Sequence, residues 1–100
     1  MEVVKITDKE FDEKTKEGKV FVDCYATWCG PCKMLSPIID EVANEIDDYK
    51  FYKLDVDESE EVAAKYGIMS IPTMLIFENG NLVNTIVGFK TKDELKEVLK

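Results

Sequence analysis

The chain has 100 residues, of which 45% are hydrophobic and 34% are charged, a composition typical of one globular domain with its own core. Its 13 basic and 21 acidic side chains give a net charge of −8, which disfavours nucleic acid as a partner because phosphates bind to basic surfaces. No apolar run approaches the ~18 residues of a membrane span, and the N-terminus lacks the basic and apolar regions of a signal peptide. We therefore expect one domain over residues 1–100, a cytoplasmic location and no membrane partner.

The pattern of apolar residues predicts strands and helices in the order βαβαβαββα. Strands are expected at residues 2–6, 20–26, 50–56, 73–77 and 82–87. Helices are expected from Asp8 to about Gly18, over 33–48, over 58–66, and from Thr91 onward. Strands that alternate with helices pair in parallel through right-handed crossovers, and the final hairpin adds antiparallel pairing. The predicted fold class is therefore α/β, with a mixed sheet and helices on both faces.

Short motifs mark several of these boundaries. Thr7–Glu10 and Thr91–Glu94 have the spacing of capping boxes, and Asn79-Gly80 is a strong hairpin signal. Pro37 should kink the second helix near its start. Apolar stripes that should face the core are Met34, Leu35, Ile38, Ile39, Val42, Ala43 and Ile46 in the second helix, and Leu95, Val98 and Leu99 in the last.

Cys29 and Cys32 lie where the second strand ends and the second helix begins. Two cysteines at this spacing can form a disulfide, and the same spacing is also half of a zinc site. The chain has no histidine and only three cysteines, so thiolates alone could not complete a zinc site, and we expect no metal. At a helix N-terminus the unpaired N–H groups and the helix dipole favour an anion, such as the thiolate of Cys29. Cys32 lies inside the first helical turn and should be the more buried of the pair.

Asp23 and Cys24 lie next to each other in the apolar run of the second strand. A buried carboxylate without a partner is costly, and burial would raise the pKa of Asp23 until it becomes a usable proton acceptor near neutral pH. The alternative is a solvated Asp23 at a strand edge or bulge. For Cys24 we predict a small core residue, with a redox-regulatory thiol as the alternative.

The stretch Trp28-Cys29-Gly30-Pro31-Cys32-Lys33, with Asp23 before it and Ile71-Pro72-Thr73 after it, resembles the thioredoxin family. The resemblance covers essentially the whole chain, including Asn79-Gly80 and Gly88. The Gly-Pro pair between the cysteines differs from glutaredoxins, which usually carry Cys-Pro-Tyr-Cys, and from protein disulfide isomerase domains, which carry Cys-Gly-His-Cys. The resemblance implies a thioredoxin fold, with a five-stranded mixed β-sheet flanked by four helices.

The resemblance also implies roles for individual residues. Cys29 would be the nucleophile and Cys32 the resolving thiol, so that together they form the redox-active disulfide. Asp23 would lie beneath Cys32 and accept its proton through water. Lys53, on the neighbouring strand, would lie near Asp23 and support it.

A substrate ledge is implied beside the cysteine pair. Pro72 would be trans by base rate, since only ~5–6% of X–Pro bonds in folded proteins are cis, but the resemblance implies a cis bond. The backbone of Ile71 would then pair with an extended substrate segment. The implied apolar docking surface consists of Trp28, Gly30, Pro31, Ile71, Pro72 and Gly88, with Val87 as its weakest member. Plain packing is the alternative for each of these residues.

The implied activity is that of a protein-disulfide reductase, an enzyme that works by dithiol–disulfide exchange and helps to maintain cell redox homeostasis. Such a protein would be a monomer without a bound cofactor. A thioredoxin reductase linked to NADPH or ferredoxin would supply its electrons, and oxidised target proteins would receive them. The alternatives are a binding or scaffold subunit of a larger assembly and a disulfide-forming oxidant.

Overall fold

The computed structural model describes residues 2–100 and contains a five-stranded sheet with four helices. The strands are β1 (Val3–Ile6), β2 (Lys19–Tyr25), β3 (Lys50–Asp55), β4 (Thr73–Glu78) and β5 (Asn81–Val87). The helices are α1 (Asp8–Thr15), α2 (Gly30–Glu45), α3 (Glu60–Lys65) and α4 (Lys92–Val98). The predicted order of elements and the mixed α/β class are confirmed. No helix within 2–100 combines the length and the apolar character needed to cross a membrane.

The strands lie in the order β1-β3-β2-β4-β5, so β2 is the central strand. β2 pairs in parallel with β3 and antiparallel with β4, and β5 returns antiparallel to β4. Because β2 is covered on both faces, it is apolar at nearly every position, as a buried central strand should be. Its alternate side chains enter two different cores, with Phe21 packed below α2 and α4 and Val20 and Val22 packed on the opposite face.

The second helix begins and ends three residues earlier than its apolar stripe predicts. Cys29 is its N-cap, and the Cys29 sulfur accepts a hydrogen bond from the backbone N–H of Cys32, 3.2 Å away. A sulfur cap lacks the Ser, Thr, Asp or Asn signal that usually marks a helix start, which is why the sequence pattern placed it late. The helix continues through Pro37 as one element.

Two residues predicted to face the core are exposed instead. Met34 in α2 and Val98 in α4 both lie at the surface, whereas their neighbours Leu35, Leu95 and Leu99 are buried. The predicted stripe in α2 is broader than the face that the sheet covers, so its edge residue remains outside. In the short helix α4, Leu95 and Leu99 are one turn apart and occupy the face toward the sheet.

The ends of α1 and α3 also differ from prediction, with α3 covering Glu60–Lys65 instead of 58–66. α1 ends at Thr15 instead of near Gly18, because Gly18 has a positive φ of 73° and belongs to the connection that follows. There, the Gly18 N–H donates to the side chain of Asn79 at 2.9 Å, and the Asn79 N–H donates to the Gly18 carbonyl at 2.9 Å. The α1–β2 connection is therefore hydrogen-bonded to the β4–β5 turn, at the end of the sheet remote from the cysteines.

Candidate active site

The two cysteines lie at the junction of β2 and α2, as predicted, and they are joined by a disulfide. Their Cα atoms are 5.3 Å apart, a normal separation for a disulfide. Pro31 occupies the first turn of α2, where its missing N–H costs no helical hydrogen bond. The Cys32 N–H points at the Cys29 sulfur, so the backbone of this turn offers a donor to negative charge on that atom.

Both cysteines are largely buried by the surrounding chain. Cys29 is 5% exposed and Cys32 is 3% exposed, so the expected contrast in burial is present but small in the disulfide form. Ala26 packs with both cysteines, and Ile71 lies against them from the β4 side. The neighbouring residues Trp28, Gly30 and Pro31 are exposed.

Asp23 is a buried carboxylate in the central strand, with only 4% of its surface exposed, so the solvated alternative is wrong. Its Oδ1 atom accepts no hydrogen bond from any residue within 2–100. Burial raises the pKa of Asp23 to about 7, the nearby charge of Lys53 opposes that rise, and Asp40 adds to it. A carboxyl group with this pKa exchanges its proton readily at neutral pH.

Asp23 and Cys32 line the same cavity of about 290 Å³, together with Lys53 and Ser36. A space of this size holds several water molecules, and the groups that line it include polar side chains able to bind them. Lys53 is the direct cross-strand partner of Asp23 in the β2–β3 ladder, which explains why its charge acts on that carboxylate. The cavity thus has room for water between the carboxylate and the second cysteine.

The Ile71–Pro72 peptide bond is cis, as the resemblance implied, and it lies beside the disulfide. The Cys29 sulfur is 3.9 Å from the carbonyl oxygen of Ile71. On the other side, the N–H of Gly88 donates to the carbonyl oxygen of Pro72 at 2.8 Å. These contacts bring together the segments around Cys29, Pro72 and Gly88, which are distant in sequence.

Trp28 is held beside the disulfide by Asp57, a residue that no sequence motif indicated. Its indole N–H donates to the carboxylate of Asp57 at 2.8 Å, although the side chain as a whole is 70% exposed. Parallel pairing could have indicated this contact, because Tyr25 lies opposite Asp55 at the ends of β2 and β3. The residues that follow those two strands must therefore meet at the same edge of the sheet.

Cys24 lies on the opposite side of β2 from Asp23 and packs in the core that includes Val22 and Leu75. It is a free thiol, and burial raises its pKa to about 12, with the charge of Asp23 acting in the same direction. A thiol in this environment carries almost no thiolate at neutral pH and is a poor nucleophile. The prediction that Cys24 is a small core residue is confirmed.

Comparisons with known proteins agree with this geometry. The Thioredoxin family model matches residues 2–100. The thioredoxin of Bacillus subtilis (strain 168) is 50% identical, with 99% of this chain and 96% of that protein covered. The thioredoxin of Staphylococcus aureus (strain Mu50 / ATCC 700699) is 49% identical at the same coverage.

A solved chain gives the same result for the fold. It comes from a structural study of thiol resolution in yeast mitochondrial 1-Cys peroxiredoxin via glutathione/thioredoxin systems, and it is 34% identical with a TM-score of 0.88. The similarity covers 96% of this chain and 92% of that one. The fold is therefore the thioredoxin fold. With its adjacent cysteine pair, the chain belongs to the thioredoxin family and is a thiol–disulfide oxidoreductase that works by dithiol–disulfide exchange.

Proposed function

We propose that the protein reduces disulfides of target proteins, with Cys29 as the nucleophile and Cys32 as the resolving thiol. The observation that carries this assignment is the N-cap position of Cys29, whose sulfur accepts the Cys32 N–H. Negative charge on that sulfur is favoured by the hydrogen bond and by the N-terminus of α2. Cys32 lies in the first turn of α2, three residues from Cys29, which suits a thiol that attacks a neighbouring sulfur.

The exchange proceeds in two displacements. The Cys29 thiolate attacks one sulfur of the target disulfide, forms a mixed disulfide and expels the first target thiolate. The Cys32 thiol then loses its proton, and its thiolate attacks the Cys29 sulfur and expels the second target thiolate. Both target thiolates take up protons, so the target gains two electrons and two protons while the Cys29–Cys32 disulfide forms. The intramolecular second step is fast because its thiol is already in place.

Asp23 is proposed as the group that accepts the proton of Cys32, and Lys53 as its supporting cation. Asp23 and Cys32 line a common cavity, so water can carry the proton between them. The pKa of Asp23, raised to about 7 by burial, suits a base that works near neutral pH. Lys53 lies opposite Asp23 in the sheet and stabilises its charged form.

A docking surface for the target is proposed around the cis-proline ledge. Its members are Trp28, Gly30, Pro31, Ile71, Pro72 and Gly88. An extended target segment would lie against Ile71 and Pro72 with its reacting sulfur next to Cys29. The short distance of 3.9 Å between the Cys29 sulfur and the Ile71 carbonyl oxygen supports this placement.

Members of the thioredoxin family in general exchange electrons with a reductase and with target proteins. We propose that a thioredoxin reductase, linked to NADPH or ferredoxin, recharges this protein and that oxidised proteins are its substrates. We further propose that residues 1–100 act as one monomeric domain in the cytoplasm, without a bound cofactor. The family match across 2–100 and the single sheet that both cores share support the assignment of one domain.

Reduction of insulin disulfides with dithiothreitol as the electron source tests the proposal. The wild-type protein should accelerate insulin reduction catalytically, and Cys29→Ser should abolish turnover. Cys24→Ser is the matched control, because Cys24 is buried in the core away from the site and its loss should leave turnover intact. Turnover that survives Cys29→Ser would contradict the assignment, and a strongly oxidising redox potential would favour a disulfide-forming role.

A further inference from the structure

We propose that Asp40 is a positioning residue for the second displacement, acting through Lys53 to set the pH range in which Asp23 works as a base. The inference rests on the proposed function, because Asp23 is the proton acceptor there. Asp40 takes no part in the bond changes at the sulfurs. It changes the electrostatic environment of the group that receives the proton of Cys32.

A row of polar residues runs along one side of α2. Its members are Cys32, Ser36, Asp40 and Asn44. They follow one another at intervals of four residues, so each lies about one turn beyond the last. Two turns of helix place Asp40 about 12 Å along the axis from Cys32, which is too far for direct contact with the sulfur. Any effect of Asp40 on the resolving step must therefore pass through other groups.

Two cavities border this row, and one residue connects them. The cavity of about 290 Å³ that is lined by Asp23 and Cys32 is also lined by Lys53. A second cavity, of about 500 Å³, is lined by Asp40, by Asn44 and again by Lys53. Of residues 2–100, Lys53 alone lines both cavities. It is therefore the link through which the outer carboxylate acts on the inner one.

The charge of Lys53 is not committed to a single carboxylate. Lys53 lies opposite Asp23 in the β2–β3 ladder, yet it forms no ion pair with an Asp or Glu of the described chain. A negative charge at Asp40 attracts this ammonium group and repels negative charge on Asp23. Both effects favour the protonated form of the inner carboxyl group, so its pKa is higher with Asp40 present.

The other groups around Asp23 leave this role to Asp40. The titratable groups that line the inner cavity with Asp23 are Tyr25, Cys32, Lys33 and Lys53. Strand β4 places the uncharged Met74 opposite Asp23, and Cys24 lies on the other face of β2. The outer cavity adds the acids Glu2 and Asp40, of which Asp40 acts on the carboxylate of Asp23.

The pH profile of the resolving step tests the inference. The midpoint should lie near pH 7 in the wild type, where Asp23 becomes a base. In Asp40→Asn it should move down by about 0.5 pH unit, because one negative charge several ångströms away is lost from a partly solvated site. Asp40→Lys should move the midpoint about twice as far. Both shifts should shrink at high salt, because Asp40 is exposed.

Asp47→Asn is the matched control. Asp47 is exposed, follows the end of α2 and lines neither of the two cavities, so its loss removes the same charge from a different place. The midpoint should stay where it is in the wild type. In an Asp23→Asn background, Asp40→Asn should leave the rate profile unchanged, because the residue through which it acts is absent.

NMR titration of the Asp23 carboxyl carbon in the oxidised protein measures the same shift without turnover. A resolution rate that does not depend on Asp23 would contradict its proposed role as the base, and the inference would fall with it. If the wild-type midpoint lies near pH 7 and Asp40→Asn leaves it unmoved in both measurements, the inference alone is overturned. An equal shift in Asp47→Asn would also overturn it, because net charge and not position would then be the cause.

Discussion

The carboxylate of Asp23 lies in the central strand and has no hydrogen bond at Oδ1 from residues 2–100, so burial disfavours its charged form. Near pH 7 the group is divided between acid and base, because burial raises its pKa to about 7. This property links the chemistry of the site to the stability of the fold. Two measurements on the same substitution separate the two effects.

The first measurement concerns the rate at which the mixed disulfide resolves. If Asp23 accepts the proton of Cys32, the resolution rate should increase as pH rises through about 7, where the carboxyl group becomes a base. Asp23→Asn should resolve the mixed disulfide roughly 10- to 100-fold more slowly at neutral pH, because it lacks the base. Stopped-flow single turnovers measure this rate, with the preceding attack by Cys29 as the internal control. An unchanged resolution rate would eliminate the proposed role.

The second measurement concerns the free energy of unfolding. The pKa of Asp23 is about 7 in the folded protein, whereas the pKa of an exposed aspartate is about 3.8, so the folded state binds more protons between these values. Stability should therefore decrease as pH rises from about 4 to 7 and level off above that range, by on the order of 4 kcal/mol in total. Guanidinium unfolding of the oxidised protein should show this decrease, and Asp23→Asn should lack it. Parallel pH profiles for the two proteins would contradict the raised pKa.

Asp57 is the residue that positions Trp28 beside the disulfide. Removal of its carboxylate in Asp57→Ala should free the exposed indole and slow the reduction of insulin by roughly fivefold, which corresponds to about 1 kcal/mol for one hydrogen bond. Asp57→Asn keeps an acceptor oxygen and should retain most of the rate. Equal rates for the alanine variant and the wild type would show that the indole needs no such support.

At the scale of the elements, helix α3 receives its cap from another helix. Asp8, the first residue of α1, accepts the N–H of Glu61 at 3.1 Å and the N–H of Val62 at 3.0 Å. Ser59, the residue at the usual cap position of α3, makes no side-chain cap. The carboxylate of Asp8 thus satisfies two N–H groups that a short helix would otherwise leave unpaired, and it joins α1 to α3.

Asp8→Ala should lower the free energy of unfolding by about 1–2 kcal/mol, because α3 loses its cap. The matched control is Asp12→Ala in the same helix, since Asp12 makes only a long surface ion pair with Lys65 at 4.0 Å. That change should stay within about 0.5 kcal/mol of the wild type. Denaturant unfolding measures both values, and equal losses for the two variants would contradict the capping role.

The sequence could predict helix caps made by near neighbours in the chain, but not a cap made by a distant residue. The capping box at Thr91 is present as expected, with the Glu94 N–H donating to the Thr91 hydroxyl at 3.2 Å and the Glu94 carboxylate accepting the Thr91 N–H at 3.0 Å. Such signals act between near neighbours in the chain. The cap of α3 by Asp8 joins residues more than 50 positions apart, so no local pattern could indicate it.

At the scale of the whole molecule, the order of elements could be predicted from apolar periodicity. The full set of residues that act at the site could not. Periodicity placed the cysteines between a strand and a helix, and the isolated Asp23 in an apolar strand indicated a buried acid. Residues such as Asp57 and Asp40 act on Trp28 and Asp23 through space, and their sequence context is that of ordinary surface acids. The effect of Asp40, which lies in α2, depends on how that helix packs on the sheet, and the exact position of Asp57 depends on the strand register; the sequence pattern specifies neither.

The molecule as a whole brings three distant segments to one end of the sheet. The strand–helix junction supplies the cysteines, the cis Ile71–Pro72 bond directly precedes β4, and Gly88, whose N–H donates to the Pro72 carbonyl, directly follows β5. The central strand contributes Asp23, which lines a cavity together with Cys32. The proposed mechanism requires that a target first forms a mixed disulfide with Cys29 and is then released when Cys32 attacks.

Trapping of the mixed disulfide tests that sequence of events most directly. Reduced Cys32→Ser, mixed with insulin, should accumulate a covalent adduct, and mass spectrometry of its peptides should find the target sulfur on Cys29. Reduced Cys29→Ser should accumulate little adduct under the same conditions, since the N-cap position that favours a thiolate belongs to Cys29 and not to Cys32. An adduct that forms on Cys32 instead, or equally on both cysteines, would contradict the account.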